Sequence, residues 1–468
     1  MATLIEQHPL YDTLPVGQDV IFTVSNTSVV SSYTNVKFIA EVHISSTFAP
    51  NPSTNTDVVG TFKTTPNNAG VGMFDFSSII ESFVNADNLA RQGSAYKTVV
   101  NTSETNVPIH LIDKFSGNVN SMRYLVIQFK VQYIDAAGNL VNTGAVNSDL
   151  YQLLNGYLKY TDVLDLVGNN FGYNLNSFNL NGSSKSFLTN APTTQYANLE
   201  DYGTLGLWMV NGYSASNVNG IGGVRATYYD SDGNYISDEE IYSYAANGGF
   251  NTNNGYIGTN LLFFGCFPAN LQGSSTMFQN LVSAGTIQGG HYELVVMNDG
   301  GQLMSSKYTI NLNCPTLKGY EPIRLTWLNQ WGTWDYYTFT MKSSKTISTQ
   351  GSTYQQLAGS WNQSAYRIDS FKGGKKAFRV NATEKISMNT DFVSESESEW
   401  FEELINSPEV YILKGYEDVV ETSSALNQYV TPVRLTTSNY TKKTVANDKL
   451  MQYTFEVEKS KTLRTQAV

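Results

Sequence analysis

The sequence predicts a mainly β chain: tandem immunoglobulin-like β-sandwich modules, then a C-terminal β-rich domain with one short helix. Three observations predict it. Short segments alternate apolar and polar residues throughout, helical patterns are few and brief, and a hairpin frame recurs at about the length of one sandwich.

The alternation is clearest in two segments. "VKFIAEVHI" places Val36, Phe38, Ala40, Val42 and Ile44 on one face, with Lys37, Glu41 and His43 opposite. "YLVIQFKVQYI" sets Leu125, Ile127, Phe129, Val131 and Tyr133 against Gln128, Lys130 and Gln132. Period two with polar outer positions marks half-buried antiparallel strands, so His43 is expected at a solvated position. Near the end, "LMQYTFEVE" alternates Met451, Tyr453, Phe455 and Val457 against Gln452, Thr454, Glu456 and Glu458. That predicts an ordered closing strand before a short basic tail.

Two helices are predicted. In "FDFSSIIESFV", Ser78 and Glu81 have capping-box spacing, with Ile79, Ile80, Phe83 and Val84 as the apolar stripe. "SESESEWFEELINSPE" collects carboxylates in its first turns, where the helix dipole favours them. Trp400, Phe401, Leu404 and Ile405 form its apolar face, and Pro408 helps to end it.

The hairpin frame is Tyr-x-Asp-x-x-Gly-Asn, present in "VQYIDAAGNLV" and again in "ATYYDSDGNYI". Tyr133 and Tyr228 lie 95 residues apart, close to the length of one immunoglobulin-like sandwich, about 100 residues. The expected modules are 1–150, then 151–315 with Gly/Asn-rich insertions. The C-terminal domain, 316–468, follows the prolines Pro315 and Pro322.

Composition narrows the function. Of 468 residues only 15% are charged, below the roughly 25% of an average soluble domain. The surface therefore relies on amides and hydroxyls, which cost less to desolvate than Lys or Glu when they meet a neighbour. A net charge of −11 argues against nucleic acid as partner, because phosphate recognition needs a basic face. The two cysteines, Cys266 and Cys314, make no disulfide framework and read as small core residues; a bridge between them needs an oxidising compartment. The N-terminal residues show no signal-peptide pattern, and no apolar run approaches the ~18 residues of a membrane span. No membrane partner is expected.

Catalytic patterns are absent from the sequence. His8, His43, His110 and His291 form no metal-ligand spacing, and no nucleophile elbow or phosphate loop occurs. "DSDGNYISDEE" has oxygens at Asp230, Asp232 and Asn234, but Gly233 sits at the fourth position, where an EF-hand loop needs it at the sixth. It reads as an acidic hairpin turn. The expectation is no enzyme, no cofactor and no metal. "FKGGKKAFRV" groups Lys372, Lys375, Lys376 and Arg379 around a Gly-Gly turn. Such a turn is either a solvated hairpin or a contact for an anionic subunit surface.

The richest aromatic stretch is "YEPIRLTWLNQWGTWDYYTFTMKSS". Strand phase assigns Trp327, Tyr337 and Phe339 to the core, with Trp400 from the helix as a further core candidate. Trp331 and Trp334 fall at the hairpin tip, where phase alone does not bury them. With Lys372, Lys375 and Lys376 they are the candidate contact residues, expected to pack on a neighbouring module or subunit.

"CPTLKGYEPIRLTWLNQWGTWDYYTF" resembles a pattern in virion structural proteins of tailed bacteriophages of the Bacteroidetes and marine type. "EWFEELINSPEVYIL", "TPVRLTTSNYTKK" and "KLMQYTFEVEKS" are similar to the helix, Ser-Pro turn and closing strands of those proteins. "HPLYDTLPVGQDVIFTVSN" with "VKFIAEVHIS" resembles their N-terminal immunoglobulin-like module. The resemblance implies a non-enzymatic virion component in the tail, baseplate or neck, whose partners are copies of itself and other virion proteins. The alternatives are a carbohydrate-binding or receptor-binding module, with a host glycan as partner, and a polysaccharide-degrading enzyme.

Overall fold

The computed structural model describes residues 2–46, 50–53, 57–90, 107–159, 175–209, 221–243, 261–298, 300–312, 319–360, 364–414, 429–437, 439–441, 451–461 and 463–464. Cys314 and most of the Gly/Asn-rich insertions lie outside them. The chain is mainly β, with several sheets and few short helices. It divides into two compact units. Met1–Pro315 with Leu328–Asp335 belong to the first, and Thr316–Trp327, Tyr336–Lys414 and Gln428–Val468 to the second.

In the first unit, strands Leu4–Gln7, Ile21–Ser25 and Val71–Asp75 form a three-stranded antiparallel sheet. A seven-stranded sheet runs Thr13–Gly17, Tyr151–Tyr157, Met122–Ile134, Thr34–Ser45, Val58–Thr64, with two short strands added to Met122–Ile134. Phe22, Val24 and Phe74 from the small sheet share one core with Phe38, Val42, Ile127 and Phe129 from the large one. Phe22 sits at the centre, 5.7 Å from the rings of both Phe129 and Tyr151. The inward phase expected for "VKFIAEVHI" and "YLVIQFKVQYI" is therefore the one observed.

The outward phase holds only in part. Lys37 is exposed and Glu41 half-buried, but His43 and Ser45 are buried along with Val42 and Ile44. His43 is fully enclosed, which corrects its expected solvated position. It lies in the interior of the sheet, with Val126 and Val58 on its flanking strands. Both faces of the strand are covered at that end. Local alternation cannot report a second covering layer.

The expected module boundary at 150/151 is also corrected. Tyr151–Tyr157 pairs antiparallel with Met122–Ile134 and parallel with Thr13–Gly17, in the middle of the N-terminal sheet. A five-stranded sheet follows, in the order Thr194–Ala197, Tyr308–Leu312, His291–Met297, Gly223–Tyr229, Tyr235–Ser243. A three-stranded sheet joins Thr204–Trp208 and Leu261–Gly265 to Phe115–Gly117. That last strand comes from within the first 150 residues. The two expected modules exchange strands and fold as one compact unit.

The helix at Ser77–Glu81 is a single turn capped otherwise than expected. Its N-cap is Phe76, and Asp75 accepts from the Ser77 amide at 3.0 Å, so Ser78 and Glu81 form no capping box. Two helices without a sequence expectation, Pro268–Ser274 and Thr276–Ser283, follow Leu261–Gly265. Pro268 at the first helical position and Ser275 as N-cap of the second supply the starts.

The second unit is built on an eight-stranded sheet. Its path is Trp334–Phe339, Ile323–Leu328, Val410–Leu413, Val430–Leu435, Thr454–Lys459, Gly374–Asn389, Ser343–Gln356, with the short strand Leu463–Arg464 added to Gly374–Asn389. Helix Glu395–Asn406 opens with the capping box Ser394/Glu397. Its aromatic face closes the core: Trp400 lies 4.8 Å from the Trp327 ring, and Phe401 lies 4.9 Å from Tyr337 and 5.4 Å from Phe455. Trp327, Phe339 and Trp400 are buried, and Tyr337 is half-buried with its ring inside this cluster. Burial pushes the Tyr337 hydroxyl pKa well above its ordinary value. The closing strand behaves as its alternation predicts, with Met451, Tyr453, Phe455 and Val457 all buried.

Candidate interaction surface

The tryptophan turn is built first by its backbone. Asn329 Oδ1 accepts from the amides of Trp331 and Thr333, both at 3.0 Å, and Gly332 takes a left-handed φ of 74°. The same five-residue design occurs at Asn67, Asp135 and Asp230. In each, an Asx oxygen accepts from the amides two and four residues on, with glycine third at positive φ (Gly70, Gly138, Gly233). Asn298 with Gly301 shares the four-residue bond and the glycine. The recurring Tyr-x-Asp-x-x-Gly-Asn frame is thus a turn used repeatedly. At Asp230 the carboxylate already accepts from Asp232, Asn234 and the Asn234 amide side chain, which holds its pKa below the usual range. Its oxygens are occupied by the hairpin itself.

What distinguishes the Asn329 turn is burial. Leu328–Asp335 belongs to the first unit and is anchored there by polar bonds. Gln330 and Tyr157 exchange backbone and side-chain bonds (Tyr157 amide to Gln330 O, 3.0 Å; Gln330 Nε2 to Tyr157 O, 3.1 Å). Thr333 Oγ1 donates to Leu188 O at 2.6 Å, and Thr189 Oγ1 to Asp335 Oδ1 at 2.6 Å. Trp331 Nε1 donates to Asn190 Oδ1 at 3.1 Å with its ring 5.3 Å from Phe178. Trp334 Nε1 donates to Asp87 O at 2.9 Å with its ring edge-on to His110 at 4.7 Å. Trp331 is 4% exposed and Trp334 1%. Both pack on the chain's own neighbouring elements. They are no surface for another subunit, and they offer no platform on which a sugar ring could stack.

The lysine cluster stands in a different setting. Ser343–Gln356 and Gly374–Asn389 pair over fourteen rungs as one long antiparallel hairpin, hereafter the arm. Fourteen residues span about 46 Å at about 3.3 Å per residue. Gly374–Asn389 gains further partners only at Asn381–Ala382 and Lys385–Asn389. Beyond these, among the described residues, the arm is a two-stranded ribbon with both edges open. Its end carries a two-rung ladder, Gly359–Ser360 with Arg367–Ile368, and a turn through Gly373 and Gly374 at φ 95° and 79°. A Cβ at Gly373 would stand 3.0 Å from Ala358, so glycine is required there.

Lys372 pairs with Asp369 at 3.1 Å and lies over the Phe371 ring at 5.4 Å. Lys376 donates to the Phe371 carbonyl at 3.1 Å, while Lys375 and Arg379 are exposed on the strand. Sequence reading missed the apolar side of this structure. Ile347, Leu357, Tyr366, Ile368, Phe371 and Phe378 are each more than half exposed, Ile368 reaching 78%. Phe378 occupies a β-bulge between the pairs Ser352–Arg379 and Thr353–Ala377. The available signal was "SSKTISTQGSTYQQ", whose two strand faces are both polar, which marks a ribbon without a core of its own.

Among the described residues no group of three or more His, Cys, Asp or Glu is placed to hold a metal, and no helix is long and apolar enough to cross a membrane. No known family model matches the chain, and no curated protein matches it significantly. The geometry of the arm is therefore the main guide to function.

Proposed function

We propose that the chain is a non-enzymatic structural component of a tailed-phage virion, assembling with copies of itself and with other virion proteins into a symmetric ring or layer of the tail, baseplate or neck. One observation carries the assembly part of this reading: an open-edged, two-stranded arm with six large apolar side chains exposed. A two-stranded ribbon is marginally stable alone in water, and exposed apolar clusters of this kind mark protein contacts. Low charge and amide-rich surfaces suit the same role, and the sequence resemblance supplies the virion context. The carbohydrate-binding alternative loses Trp331 and Trp334 as a stacking platform, because both rings are buried.

Quantitative mass spectrometry of purified phage particles tests the proposal. The expected result is the chain at a fixed copy number matching a ring or layer. Its presence only in the soluble lysate, absent from particles, overturns the reading.

A further inference from the structure

The arm is not the only open edge of the molecule. Tyr235–Ser243 is the last strand of its five-stranded sheet and, among the described residues, pairs only with Gly223–Tyr229. The two edges carry opposite charge. Residues 343–389, the arm, hold seven basic side chains and two acidic ones. Residues 221–243, the hairpin ending in the acidic edge, hold five acidic side chains (Asp230, Asp232, Asp238, Glu239, Glu240) and one basic one, Arg225. Asp238 and Glu240 are exposed along the strand, while Glu239 turns inward to accept from the Tyr228 and Ser275 hydroxyls.

An edge protected only against aggregation can use charge of either sign. Opposite signs on two open edges do more. They oppose arm-to-arm and acidic-edge-to-acidic-edge pairing, and they favour pairing of unlike edges. We propose that the arm of one copy adds as a β-ribbon to the Tyr235–Ser243 edge of a second copy. Lys376 and Arg379, which share one face of the arm across the Phe378 bulge, then face the Asp238 and Glu240 side of the acceptor. Backbone bonds between the edges provide the adhesion, the exposed aromatics provide apolar burial, and charge selects the partner and register. Such a contact is heterologous. It leaves a donor arm at one end and an acceptor edge at the other, so it closes into a ring or extends as an open chain. This inference rests on the assembly reading above and names the surface that reading needs.

The test uses the full chain in two charge-reversed forms, followed by analytical ultracentrifugation at low and high salt. The arm form carries Lys372→Glu, Lys375→Glu and Lys376→Glu; the edge form carries Asp238→Lys and Glu240→Lys. Unaltered chain is expected to form salt-sensitive oligomers, and each reversed form alone to associate at least about tenfold more weakly. Circular dichroism melts matching the unaltered chain show that both forms fold. Mixing the two forms sets each reversed arm against a reversed edge and each unaltered arm against an unaltered edge, so the mixture is expected to recover oligomers in which the two forms alternate. Combining both reversals in one chain is expected to restore oligomers. Oligomers indifferent to either reversal overturn the arm-to-edge contact while leaving assembly standing. A monomeric unaltered chain whose arm instead binds single-stranded nucleic acid or anionic vesicles overturns it in favour of a polyanion partner.

Discussion

Substituting Asn329 with alanine isolates what burial adds to one turn. The Asn329 side chain is 3% exposed and accepts from two amides, Trp331 and Thr333. Its own amide hydrogens are shared among Leu188 O, Thr333 Oγ1 and Asp335 Oδ1 at 2.8–3.2 Å. Alanine leaves the two backbone amides buried without acceptors. At about 1–3 kcal/mol for each unsatisfied buried group, the loss is about 4 kcal/mol. The control is Asn67→Ala, which removes the same pair of turn bonds, to Ala69 and Val71, in an exposed hairpin where water can replace them. That change is expected to cost less than about 1 kcal/mol. Urea unfolding followed by circular dichroism measures both, with near-ultraviolet signals reporting the tryptophan environment. Equal losses from the two substitutions would refute the argument that enclosure, and not turn chemistry, makes the Asn329 turn an anchor.

Three further outcomes follow from the same geometry. Gly332→Ala places a Cβ 2.0 Å from the Asn155 carbonyl, whereas Gly138→Ala at a similar φ meets nothing within 4 Å; the first is expected to unfold at clearly lower urea than the second. Trp400→Ala removes a ring packed on Trp327 and Phe401 and is expected to cost about 3–5 kcal/mol, read from the unfolding midpoint. Burial depresses the pKa of His43, whose ring nitrogens have no hydrogen-bond partner among the described residues. Below the unfolded value of 6.5 the unfolded chain therefore holds the extra proton, so stability is complete above that pH and declines as pH falls. His43→Leu is expected to flatten this decline between pH 7.5 and 5; an unchanged slope removes His43 from the account.

The sequence reveals strands well where one face meets water and poorly where two layers cover them. Phe38, Ile127 and Phe129 announce their core by period two, but His43 and Gln152 are buried by a covering that leaves no periodic trace. The turn frame at Asp135 and Asp230 was visible, yet it suggests duplicated modules when it marks only a shared turn chemistry. The true organisation depends on Tyr151–Tyr157 and Phe115–Gly117 pairing far along the chain, and long-range register is not written locally. At the candidate surface, Lys372, Lys375 and Lys376 were legible as a cluster. Trp331 and Trp334 were expected to pack on a neighbouring module or subunit, and it is the neighbouring elements of the first unit that bury them; phase alone did not choose, because a hairpin tip reads the same whether it meets another copy or the chain itself.

The most direct measurement is a cryo-electron microscopy reconstruction of phage particles carrying the chain. The account predicts a symmetric ring or layer in which the Ser343–Asn389 arm of each copy lies along the Tyr235–Ser243 strand of the next. A map that shows the chain in no symmetric assembly, or places every arm in solvent, would contradict it.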